Sequence, residues 1–83
     1  MGRSVTLWKL VESESAVVYL YGASKEHAGS LVIDKATATV TSRKAVPGMS
    51  EQESWFFFGM LAKARAEKFL REGEFPDEAT LSV

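Results

Sequence analysis

Residues 50–73 read SEQESWFFFGMLAKARAEKFLREG, and both ends of this stretch mark a helix. Ser50 followed by Glu53 fits a capping box. The Ser50 hydroxyl accepts from the Glu53 amide, and the Glu53 carboxylate accepts from the Ser50 amide. Glu51 and Glu53 suit the positive end of a helix dipole, while Lys68 and Arg71 suit the negative end. Gly73 is a natural left-handed stop, and Pro76 follows where a helix cannot continue. At about 100° per residue, Trp55, Phe58, Gly59, Ala62, Ala66, Phe69 and Leu70 share one face, which should cover a sheet. The other side of the first two turns is also apolar, with Phe56, Phe57, Met60, Leu61 and Ala64. Only the second half, with Lys63, Glu67, Lys68, Arg71 and Glu72, has an ordinary wet face.

Working upstream, the chain reads as strands. Residues 5–11 are rich in strand formers, and Glu12-Ser13-Glu14-Ser15 reads as a turn. The β-branched and aromatic run AVVYLY at residues 16–21 is the strongest strand signal. A polar loop follows between Gly22 and Gly29. Residues 30–34 form a third strand, and Asp34-Lys35-Ala36-Thr37 turns into a fourth at residues 38–42. Short connections favour an antiparallel meander. The expected fold is α+β: a four-stranded antiparallel meander, then one helix packed on one sheet face (ββββα). The tail Thr80-Leu81-Ser82-Val83 is either a frayed end or a short added strand. Residues 1–83 make a single domain.

One helix covers only one side of such a sheet. If Trp8, Leu10, Val17, Tyr19, Tyr21, Leu31, Ile33, Ala38 and Val40 face the helix, period-2 alternation turns Leu7, Val11, Val18, Leu20 and Val32 outward. Apolar surface of that extent marks an interface. The interface candidates are therefore Leu7, Val11, Val18, Leu20 and Val32 on the sheet, with Phe56, Phe57, Met60 and Leu61 on the helix. The competing expectation is that the Pro47 loop or the tail of residues 75–83 folds over one patch, with Phe75, Leu81 and Val83 covering part of the helix but not the sheet as well.

Composition narrows the chemistry. The chain has no cysteine, so neither a disulfide nor a thiolate metal site holds it together. With 46% hydrophobic residues, apolar burial must carry the fold. Ten basic and eleven acidic residues leave a formal net charge of -1, with no global pull toward nucleic acid or an anionic membrane. Residues 1–20 lack the apolar core of a targeting segment, since Lys9, Glu12 and Glu14 interrupt it. The apolar run from Trp55 to Ala62 is far shorter than the roughly 20 residues of a span. The expected location is cytoplasmic.

The combination Tyr19-x-Tyr21, Gly29, Leu31-x-Ile33-Asp34-Lys35-x-Thr37, an aromatic-rich helix and Gly73-x-Phe75-Pro76 resembles a group of short, uncharacterised bacterial and phage-associated proteins of about this length. Leu20 departs from the polar residues expected at outward positions of the second strand in that group. The resemblance implies no assigned activity and no catalytic residues.

No nucleophile elbow, phosphate-binding loop or dinucleotide fingerprint is present. His27 is the only histidine. It sits in a polar loop beside Lys25 and Glu26 and reads as a solvated residue. The acid pairs Glu12/Glu14 and Glu51/Glu53 read as turn and cap residues. No catalytic residue, metal site or cofactor is expected. The favoured reading is a non-enzymatic interaction module, homodimeric or bound to another protein through its uncovered apolar surface. The first alternative is a sheet-face binder of single-stranded nucleic acid, with Trp8, Tyr19 and Tyr21 stacking bases and Lys9, Lys35, Arg43 and Lys44 meeting phosphates. The second is a small enzyme or enzyme subunit with a site shared between chains.

Overall fold

Alternating β-branched and aromatic residues build five strands, and the capped stretch builds a helix between the fourth and the fifth. The computed structural model describes residues 4–82. The strands are β1 (Ser4–Glu12), β2 (Ala16–Gly22), β3 (Gly29–Asp34), β4 (Thr39–Lys44) and β5 (Glu78–Ser82). A 3₁₀ turn, Lys25–His27, lies between β2 and β3. The sheet order is β4-β3-β2-β1-β5, antiparallel throughout. The first four strands form the expected meander. After the helix, β5 adds to the free edge of β1.

This fifth strand extends the ββββα expectation to ββββαβ. It begins at Glu78, earlier than the tail identified from sequence. The β1–β5 ladder continues past it, because the Lys9 amide donates to the Asp77 carbonyl at 2.8 Å. Thr6 and Thr80 join their hydroxyls across the pair at 3.0 Å. Leu81 and Phe75 pack against the core. Val83 lies outside the described residues.

The helical stretch comprises α1 (Glu51–Ser54), a π-helical segment (Trp55–Gly59) and α2 (Met60–Glu72). Both halves of the capping box form: the Glu53 amide donates to the Ser50 hydroxyl at 3.1 Å, and the Ser50 amide donates to the Glu53 carboxylate at 3.2 Å. Gly73 closes the helix at φ 73°, with its amide donating to the Phe69 carbonyl. In the π segment the Met60 amide bonds the Trp55 carbonyl, five residues back. An unbroken α-helix would turn Gly59 about 140° away from Ser54. The wider turn lets Ser54 reach Tyr21 on the sheet while Gly59 lies under the Trp55 ring, and both are buried.

The core lies between helix and sheet. Val5, Leu7, Val17, Tyr19, Tyr21, Leu31, Ile33 and Val40 meet Ala62, Ala66 and Phe69. Phe58, Leu61 and Leu70 pack against this cluster. The small residues Ala62 and Ala66 let the helix approach closely, as their spacing predicts, whereas Gly59, expected to do the same, instead seats the Trp55 ring.

Two expectations are corrected here. On β1 the inward set is Val5 and Leu7, both wholly buried, while Trp8 pairs with Leu20 on the opposite face. A β-bulge between Lys9 and Val11 then resets the alternation, so strict period 2 fails across it. Ala38 is not an inward strand residue. It is exposed, at φ 55°, in the turn before β4. Asp34 holds that turn by accepting from the Ala36 and Thr37 amides at 2.9 and 3.2 Å.

Candidate interaction face

Directly paired residues in a sheet point to the same side, so the strand registers map the face away from the helix. One row across it reads Glu78, Trp8, Leu20, Ser30, Lys44 from β5 to β4. The next reads Val11, Val18, Val32, Thr41 from β1 to β4. Thr6 and Thr80 flank these rows at one end, and Ala16, Asp34 and Thr39 at the other. The centre is therefore five apolar side chains on three adjacent strands, framed by hydroxyls and single charges. Among the described residues no element lies over this face. Val11 is 54% exposed and its neighbour Leu10 59%, Trp8, Leu20 and Val32 are half-buried, and Val18 is only 9% exposed.

The sheet candidates Val11, Val18, Leu20 and Val32 are thus brought together. Leu7 is not among them: it is wholly buried opposite Tyr21, under the helix. Trp8 takes its place on the outer face, a residue the period-2 reading turned inward. On the helix, Phe56, Phe57 and Met60 are exposed at 63%, 40% and 56%. The Phe56 and Phe57 rings meet edge-on, with centroids 5.5 Å apart. Leu61 leaves this group, because it packs against the core.

The nucleic-acid set divides. Tyr19 and Tyr21 are wholly buried, so neither offers a ring face to a base. The Tyr19 hydroxyl donates to the Pro76 carbonyl at 2.6 Å, and its ring tilts against Phe69. Desolvation pushes its pKa up to about 12. The Tyr21 hydroxyl meets the buried Ser54 hydroxyl at 3.1 Å, which also accepts from the Val46 amide at 2.9 Å.

Lys9 and Lys35 are committed elsewhere. Lys9 pairs with Glu12 at 2.9 Å and Asp77 at 3.2 Å, and donates to the Phe75 carbonyl. Lys35 pairs with the other Glu12 oxygen at 3.1 Å, donates to the Ser13 carbonyl, and lies over the Phe75 ring. Hydrogen bonds from Lys9 and Lys35 hold the Glu12 carboxyl below its usual range, and the Glu12 and Asp77 carboxylates raise Lys9. Of the seven proposed contacts, only Trp8, Arg43 and Lys44 remain outside the core and free of this cluster.

His27 is exposed at the end of its 3₁₀ turn and lines neither of two open hollows. One, about 250 Å³, is lined by Phe69, Glu72, Glu74, Phe75 and Pro76. The other, about 220 Å³, is lined by Ala64, Arg65, Lys68, Arg71 and Leu81. Among the described residues no helix is long and apolar enough to cross a membrane.

No family model matches the chain, and neither curated proteins nor solved structures give a significant match.

Proposed function

We propose that this chain is a non-enzymatic interaction module that self-associates through the outer face of its sheet. The observation that carries this reading is the block Trp8, Val11, Val18, Leu20 and Val32, contiguous across three strands with no layer over it among the described residues. An apolar block of this kind on one face of a sheet is what sheet-on-sheet packing buries. Hiding at most about 300 Å² of apolar surface on each copy is worth about 15 kcal/mol gross, against an association cost of roughly 4–15 kcal/mol. The helix patch is the weaker candidate. Its three exposed side chains come from one helical stretch, whereas the sheet block spans three adjacent strands.

Sedimentation velocity at micromolar concentration tests the reading. The chain should run as a dimer. Val11→Lys and Val32→Lys should run as monomers with unchanged circular dichroism. A soluble monomer for the unmodified chain overturns the proposal.

A further inference from the structure

We infer that the second copy is placed with its two-fold axis running along the strands above β2, so that β4 of one copy lies over β5 of the other. This rests on the outer-face reading and adds to it the orientation of the partner. Five strands at about 4.8 Å spacing, each about six residues long, give a face of only about 500 Å² in projection. A standard interface needs about 800 Å² per partner, so contact must reach both edges of the sheet. The edge residues Glu78 and Lys44 then belong to it.

Those edges are complementary under this axis. Reversing the row Glu78, Trp8, Leu20, Ser30, Lys44 about its centre sets Glu78 against Lys44 of the second copy. It also sets Trp8, the largest side chain on the face, against Ser30, among the smallest. Leu20 meets its own equivalent. In the neighbouring row Val11 meets Val32, and Val18 meets Val18. Charge and size are satisfied by the same rotation. Neither Lys44 nor Glu78 joins an ion pair among the described residues, so both are available. The alternative two-fold, across the strands, places like edge over like edge and brings Lys44 beside its own copy. The rotation of about 30° between packed sheets displaces the corners but leaves β4 over β5.

Both residues are exposed, so changing them leaves the core intact. Lys44→Glu alone and Glu78→Lys alone should each weaken the dimer roughly tenfold or more, because the two-fold repeats every lost pair. The double reversal should return to within about threefold of the unmodified chain. Because the chain has no cysteine, Lys44→Cys and Glu78→Cys can be mixed and treated with a bismaleimide of about 10 Å span, matching the separation of packed sheets. Cross-linking only between the two different variants supports the arrangement. A dimer that cross-links Lys44→Cys to itself, or in which the double reversal fails to restore affinity, overturns the orientation and leaves the outer-face reading standing. A monomer under all conditions overturns both.

Discussion

Ala38 is the one described non-glycine residue at positive φ, 55°. Its Cβ crowds the following carbonyl there, at a cost of roughly 1–2 kcal/mol. Glycine removes that crowding but has more freedom to lose on folding. Ala38→Gly should therefore stabilise the chain by about 0.5–1 kcal/mol, read as a higher urea midpoint with an unchanged slope. Gly59 is the opposite case, because a Cβ there would overlap the Trp55 ring. Residues whose role depends on near neighbours in sequence were legible beforehand: Ser50, Glu53 and Gly73 act within one helical turn, and Asp34 bonds amides two and three residues on. Leu7 and Trp8 were not. Both phases of β1 are apolar, so alternation alone does not choose between them. The choice is made across the sheet, where Leu7 fits between Tyr21 and Ala79. The same ambiguity hid Trp8 from the candidate face while leaving Val11, Val18, Leu20 and Val32 visible.

At the scale of elements, the helix is held to the sheet by packing and by one buried polar link. Ser54 accepts from the Val46 amide and meets the Tyr21 hydroxyl, tying the helix start to both the β4–α1 connector and β2. Ser54→Ala keeps the volume close but strands two polar groups in the core. It should cost about 2–3 kcal/mol in chemical denaturation. Tyr21→Phe in the same background should recover part of that loss, since it removes one of the stranded groups. The helix bounds were readable from caps, and its small-residue face from spacing. The π segment was not, because a regular 100° step has no place for it. It is a tertiary compromise: Ser54 must reach Tyr21 while Gly59 seats Trp55, and these positions are five apart. The fifth strand was half legible for a similar reason. Its residues are mostly polar on one side, and its existence depends on the free edge of β1 that the meander leaves.

At the scale of the whole molecule, the salt-bridge cluster joins parts distant in sequence. Glu12 at the end of β1 bridges Lys9 and Lys35, while Lys9 also reaches Asp77 and the Phe75 carbonyl on the approach to β5. The cluster closes one end of the core, on the face opposite Trp8 and Val32, so it governs the fold without touching the proposed interface. Its sign with pH follows from Glu12. The folded carboxyl titrates below the ordinary value of 4.5, chiefly through hydrogen bonds from Lys9 and Lys35. A depressed folded pKa means that stability is present above the unfolded value and is lost as pH falls through the folded one. The urea midpoint should thus hold steady above about pH 5 and decline on further acidification. In Glu12→Gln the midpoint should be lower near neutrality, and the drop between that plateau and acid should be smaller. High salt should reduce the difference between the two proteins at neutral pH, because these groups border solvent. If both proteins lose the same stability on acidification, Glu12 is not the group that links the fold to pH.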